Sequence, residues 1–314
     1  MVPGPEEIGV EVYDPTAGVR RIITPTHWGF TQLAQYAGAP SGYLRKLPTE
    51  LAAINLQWGV EHRPLKSEAL MLAQSNGEHS LRALTSISYG RIWDHQVVEA
   101  VEKVNQDDLW VVPAASYAAV NLSPKRATTL YASDRDVFIF LVDPSRPIEV
   151  GSETLFRGFY VWNSEVGSAV FGICTFLYRY VCDNRIIWGA TDVRELRIRH
   201  TGGAPDRFAY EGARYLQRYA EESTSRIVSA VQQARRFRIP KANEKDGVSL
   251  WLQSRGFPRS IAVAAVNSAV AEEGQARSLW DIVNGITAYA RTVPHTNDRV
   301  DLETRAGALM ALAA

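Results

Sequence analysis

Residues Ser168–Cys182, SAVFGICTFLYRYVC, are apolar on both alternating faces of an extended chain. Phe171, Ile173 and Leu177 fall on one face, and Val170, Cys174, Phe176 and Tyr178 on the other. A strand with one solvated face alternates apolar and polar residues, so this pattern demands cover on both sides and a central place in a sheet. Strand-like runs flank it: DVFIFLVD and Leu155–Trp162 before, Ile186–Arg199 after. The polar Asn163-Ser164-Glu165 break marks the turn leading into the central strand. These runs predict an α+β protein built on a central, mostly antiparallel sheet.

The remaining elements follow from spacing. Residues 24–60 read as helical: Thr26 or Thr31 caps a first segment, Gly38 punctuates it, and Ser41 opens a second, resembling a helix-turn-helix pair. LMLAQ and LRALTSISY, separated by Asn76-Gly77, predict a hairpin. Val97, Val98, Val101 and Val104 predict a helix from Asp94 to Asn105, and LWVVPAASYAAVNL a further short strand. The apolar stripe Ala213, Leu216, Ala220, Ile227, Val231 and Ala234 predicts one long helix from Asp206 to Arg236, about 45 Å in length, packed on the sheet. Pro240 ends it. Helices are expected at Val248–Ser254, Ser260–Glu273, Ser278–Tyr289 and Leu302–Leu312. The organisation expected is a helical segment at 1–60, an α+β core at 61–240 and a helical segment at 241–314, together one compact unit.

Charge sets limits on partners. The 314 residues carry 34 Lys+Arg and 34 Asp+Glu, so no global field draws the molecule onto nucleic acid. Residues 1–150 hold 13 basic against 17 acidic side chains and residues 151–314 hold 21 against 17, which makes the second half the basic one. No apolar run reaches the roughly 20 residues of a membrane span, and the N-terminus has no signal-like segment. A cytoplasmic protein is expected. Cys174 and Cys182, in one strand-like run, would lie roughly 26 Å apart, which predicts buried thiols and not a disulfide.

Common catalytic signatures are missing. The sequence has no P-loop, Gly-x-Gly-x-x-Gly fingerprint, Gly-x-Ser-x-Gly elbow or His-Glu-x-x-His string. Its six histidines are scattered without ligand spacing, and Asp134 and Asp136 in SDRD read as turn formers before a strand. No catalytic residue, metal site or cofactor is assigned.

Basic residues cluster more suggestively. In VRELRIRH, Arg197 and Arg199 share the face opposite Leu196 and Ile198, with Arg179 and Arg185 near the adjoining turn. Arg235, Arg236, Arg238 and Lys241 close the long helix, where cations are also expected from the helix dipole. Together these eight would line a positive groove for a phosphate backbone. Trp162, Tyr178 and Trp188 are the candidates for stacking on unpaired bases, or are core aromatics. In QLAQYAGAPSGYLRKL, Ser41, Arg45 and Lys46 would lie on the exposed side of a second helix, as in a DNA-reading pair or an ordinary helical hairpin.

Four segments carry a family resemblance: TPTHWGFTQLAQYAGAPSGYLRKLP, LRALTSISYGRIWDHQVVEAV, VWNSEVGSAVFGICTFLYRYVCDNRIIWG and LWDIVNGITAYAR. In this order they resemble a phage- and plasmid-borne family catalogued as "domain of unknown function 932". Relatives read closer to Ser-Asp-Arg-Tyr where this chain has Ser86-Ile87-Ser88-Tyr89. The resemblance implies carriage on a mobile element in a bacterial host and supplies no agreed catalytic residues. Successive antiparallel strands followed by a long helix also resemble the β-β-β-α core of Rad52-like single-strand annealing proteins, an architectural likeness that does not fix function. The expected function is single-stranded DNA binding by a homo-oligomer, with strand annealing in recombination. The alternative is a non-catalytic protein that contacts a host partner and blocks a defence system.

Overall fold

A computed structural model describes residues 8–14, 18–62, 69–75, 79–105, 107–112, 130–133, 135–151, 153–179, 184–186, 195–221, 223–293 and 296–313. The chain is an α+β protein, and its described residues form two sheets. The first contains β1 (Val10–Asp14), β2 (Val19–Pro25), β3 (Ala69–Ser75) and β4 (His79–Ser86) in the order β1-β2-β4-β3. β3 and β4 pair antiparallel as expected, and the Asn76-Gly77 turn lies outside the described residues. β1 and β2 fall inside a region expected to be helical, although VEVYD alternates and Gly18 takes φ 64°, as a tight turn requires. α1 (His27–Ala37), α2 (Ser41–Leu44) and α3 (Thr49–His62) follow the expected order, with Thr26 capping α1 and left-handed Gly38 ending it. α2 is a single turn, too short for a recognition helix. Arg45 donates to the carbonyl of His27 and to Thr31 and lies over Phe30, so it ties α2 back to α1.

The larger sheet has the order β10-β8-β7-β6-β5, every pair antiparallel, with β5 (Leu130–Ala132), β6 (Val137–Val150), β7 (Glu153–Asn163), β8 (Phe171–Arg179) and β10 (Glu195–Ile198). All nine residues of β8 are buried, as its two-sided apolar pattern demands. The expected single strand Ile186–Arg199 is instead two: β9 (Asn184–Ile186) and β10 pair with different stretches of β8. Most of LWVVPAASYAAVNL and all of residues 187–194 lie outside the described residues. Between Asp143 and Ile148 the β6–β7 register shifts, and the odd number of extra residues reverses the alternation. Ile148 and Val150 therefore join Leu155 and Leu177 on the face that also carries Val137, Ile139 and Leu141.

Helices cover that face. α4 (Asp94–Val104), α5 (Ala204–Arg207), a π-helical turn (Phe208–Gly212) and α6 (Ala213–Glu221) pack one end. α7 (Thr224–Arg236), α8 (Gly247–Gln253), α9 (Arg259–Glu273), α10 (Leu279–Ala290) and α11 (Thr296–Leu309) pack the other. The single long helix expected from Asp206 to Arg236 is broken, because the Ser223 hydroxyl accepts from the Ser225 N–H and starts α7 afresh. The opposite face carries Phe138, Phe140, Phe156, Tyr160, Cys174, Phe176 and Tyr178 in one cluster. Cys174 is a buried packing thiol; Cys182 lies outside the described residues. Two glycines let rings lie flat across neighbouring strands. A Cβ on Gly158 would stand 2.1 Å from the Phe176 ring and one on Gly172 2.0 Å from the Trp162 indole.

Candidate functional site

The Asn163-Ser164-Glu165 turn is where the two sheets meet. Asn163, Ser164 and Glu165 are all buried, and each is engaged by side chains far away in sequence. Asn163 donates its amide to the Ile92 carbonyl at 2.9 Å and to the Asp94 carboxylate at 2.7 Å. Ser164 donates to the Arg135 carbonyl at 2.7 Å, and its own carbonyl accepts from the Tyr89 hydroxyl at 2.9 Å. The Glu165 carboxylate accepts from Arg82 at 2.5 Å and from the Asp94 N–H at 3.1 Å, and its carbonyl from Arg91 at 2.7 Å. Next along, the Val166 carbonyl accepts from Trp28 and Gln32 of α1. These bonds satisfy most of the polar groups that a buried turn would otherwise leave open, the buried Asn163 Oδ1 excepted, so the turn latches the N-terminal sheet and α1 to the large sheet.

Electrostatics in the latch are set first by burial. Burial pushes the Asp94 carboxyl up to about 6, the hydrogen bond from Asn163 works against that shift, and the nearby Glu165 charge adds to it. Burial also raises the Tyr89 hydroxyl and lowers His200, whose ring stacks on Tyr89 at 4.8 Å. A carboxyl at about 6 when folded and 3.8 when free binds more protons in the folded state between those values. Its contribution to stability is therefore greatest below about pH 4 and falls as pH rises to 6. Asp94→Asn keeps an acceptor for Asn163 and removes the titration. Thermal unfolding should show the variant gaining on the parent protein between pH 4 and 6, with a constant difference above; a difference flat across that window contradicts the assignment.

Around the latch, arginines pair with aromatic rings along one rim of the molecule. The register Phe138–Trp162–Gly172–Arg197 runs across four strands at one level of the sheet. With no side chain at Gly172, the half-buried Trp162 indole reaches across β8, and the Arg197 guanidinium lies 5.9 Å from its ring centre. Arg135 stands 5.6 Å over Trp28, and Arg91 lies 5.4 Å from both Tyr89 and Trp93. Arg197 and Arg135 remain mostly exposed, at 64% and 52%, and Arg197 also pairs with Glu195 at 2.7 Å. Arg199, just past β10, is exposed on the same rim.

The eight predicted basic residues do not share one groove. Arg179 is buried on the helix-covered face and donates two hydrogen bonds to Glu153, at 2.5 and 2.9 Å, and two more to Glu273. It is a core ion pair and not a phosphate contact. Arg235, Arg236, Arg238 and Lys241 lie at the opposite end of the sheet: Arg235 donates to the Val150 carbonyl, Arg238 bridges to Ser278, and Lys241 pairs with Glu244. Val150 pairs with Glu153, the first residue of β7, and Trp162 is nine residues further on, roughly 30 Å away. Of Arg185 the backbone pairing opposite Tyr178 is described. Tyr178 is 5% exposed and belongs to the aromatic cluster, which removes it as a stacking surface; Trp188 lies outside the described residues. Asp136 accepts from the Ser133 hydroxyl and serves the turn, and Asp134 is outside the described residues. Among the described residues no group of three or more His, Cys, Asp or Glu converges as metal ligands, and no helix is long and apolar enough to cross a membrane.

Sequence reasoning missed Trp28, Arg82, Tyr89, Arg91, Asp94 and Arg135 at this rim. The available signal was the density of arginine and aromatic residues in LRALTSISYGRIWDH, one of the resemblance segments. Fold and rim define an α+β protein whose two sheet units are joined through a buried polar turn edged by arginine–aromatic pairs. Residues 119–308 match the family described as "Domain of unknown function (DUF932)". The chain belongs to that family. No curated protein and no solved structure matches it.

Proposed function

We propose that the chain is a mobile-element protein that binds single-stranded DNA along the latch rim, serving strand annealing in recombination. The observation that carries this reading is the Arg197–Trp162 pair: an exposed guanidinium beside a half-buried indole, repeated nearby by Arg135 and Trp28. Such pairs suit an unpaired strand, since a guanidinium neutralises a phosphate while an indole face accepts a base without regard to sequence. Neutral net charge confines any such binding to a local patch. The relevant residues are Arg135, Arg197, Arg199, Trp28 and Trp162; Arg179 is not among them.

Fluorescence anisotropy with labelled single strands tests the reading. Arg197→Ala combined with Arg199→Ala should weaken binding to all sequences alike and flatten the dependence of log affinity on log salt by about 1 to 2. Both arginines are exposed, so the fold should be unaffected. No binding at low salt sinks the proposal. Capture of a stable host protein, with no DNA dependence, supports the host-interaction alternative instead.

A further inference from the structure

α9 is held by one face and open on another. Ala262, Ala265 and Ala269 pack inward, and Gly285 of α10 comes so close that a Cβ on it would stand 2.4 Å from the Ala265 carbonyl. The outer side carries Val263, Val266 and Val270, spaced three and four residues apart in one helical stripe, and Val263 and Val270 are 39% and 50% exposed. Opposite that stripe runs the loop into α8. It turns through left-handed Lys241 and Asp246, at φ 60° and 59°, and Gly247 has no room for a Cβ, which would lie 2.0 Å from the Lys241 carbonyl. Helix and loop are each fixed by contacts of their own. Between them stays a cleft of about 350 Å³, at the small end of the pockets that hold small molecules.

Two opposite charges border the valine wall. Asp246 lines the cleft from the loop, and Arg277 lines it from the turn that left-handed Gly274 opens after α9. Among the described residues neither side chain has a hydrogen-bond or ion-pair partner, whereas the neighbouring Glu244 pairs with Lys241. We infer that the cleft binds a small zwitterion with an apolar body, an amino acid or a dipeptide. Its carboxylate meets Arg277, its ammonium meets Asp246, and its aliphatic side chain lies on the three valines. A guanidinium offers a carboxylate a forked pair of donors, and a carboxylate is the acceptor that an ammonium requires. An aliphatic group laid on Val263, Val266 and Val270 takes their exposed surface out of water as well. No residue of the cleft belongs to the latch rim, so this inference stands independently of the nucleic-acid reading.

The test is titration calorimetry of the full chain with leucine and with leucyl-leucine, each up to about 10 mM. At least one should bind, and the tighter of the two tells an amino-acid site from a dipeptide site. Leucinamide, N-acetylleucine and the correspondingly blocked dipeptides each lack one charge and should bind at least about fivefold more weakly. Glycine, which keeps both charges and has no side chain, should also bind more weakly than leucine. Each substitution should erase one preference: Arg277→Gln that for a free carboxylate, and Asp246→Asn that for a free ammonium. Both side chains are exposed and asparagine tolerates a left-handed backbone, so the far-ultraviolet circular dichroism should not change. Heat from neither probe, equal affinity for the blocked compounds, or preferences that survive both substitutions overturn the proposal.

Discussion

Arg179→Ala is expected to destabilise the protein by about 3–5 kcal/mol, the range for removing one partner of a buried ion pair. Arg179 is 7% exposed, Glu153 5%, and the Trp280 indole N–H also donates to Glu153. Burial disfavours the guanidinium charge, and the Glu273 and Glu153 carboxylates more than offset that penalty. Without Arg179, two carboxylates face each other in the core between β7, β8 and α9. The melting temperature should fall by roughly 10 °C for a chain of this size. Arg179→Lys should recover only part of the loss, because an ammonium cannot reproduce the forked contact with Glu153. A variant that melts like the parent protein but loses DNA affinity would show that Arg179 works at the surface, against the structure. Arg197→Ala is the useful contrast: its side chain is exposed and its ion pair with Glu195 is worth little.

The contrast between Arg179 and Arg197 shows what spacing in a sequence conveys. Local periodicity correctly made β8 a central strand, because burial on both faces leaves a direct mark in nine consecutive residues. The same pattern held a warning about Arg179. An arginine inside a doubly buried strand must meet an opposing charge, yet Glu153 lies 26 residues earlier and Glu273 94 residues later, and no local rule names them. The break in the long helix was legible in principle, since Glu221-Glu222-Ser223-Thr224-Ser225 interrupts the apolar stripe with a good N-cap. The strands β1 and β2 were hidden by their brevity and by the charged Arg20 and Arg21 on a partly exposed hairpin. For the rim, the sequence revealed Trp162, Arg197 and Arg199 but not the residues contributed by α1, β4 and the start of α4. Their convergence depends on how the two sheets dock, which is a long-range property.

That docking rests on Glu165, and Glu165→Ala should reveal it selectively. The substitution removes the carboxylate that faces the mostly buried Arg82 and the acceptor for the Asp94 N–H, at a cost of about 3 kcal/mol. Because the lost contacts all join the N-terminal unit and α4 to the β7–β8 turn, the loss should not be uniform. Hydrogen exchange should accelerate in α1 and β4, while α9 and α10, held by a separate apolar cluster, keep their protection. Glu165→Gln should fall between the two, since its amide oxygen can still accept from Asp94 but cannot pair with the Arg82 charge. Uniform acceleration across both clusters would mean that the turn stabilises one cooperative unit and not a joint. Trp28 and Gln32 hold the same turn through the Val166 carbonyl, so a loosened joint also displaces Trp28 from beneath Arg135. Glu165→Ala should then weaken the proposed single-strand binding even though Glu165 itself is buried and repels phosphate. A loss of affinity on removing a negative charge would distinguish a rim organised by the latch from a simple accumulation of positive charge.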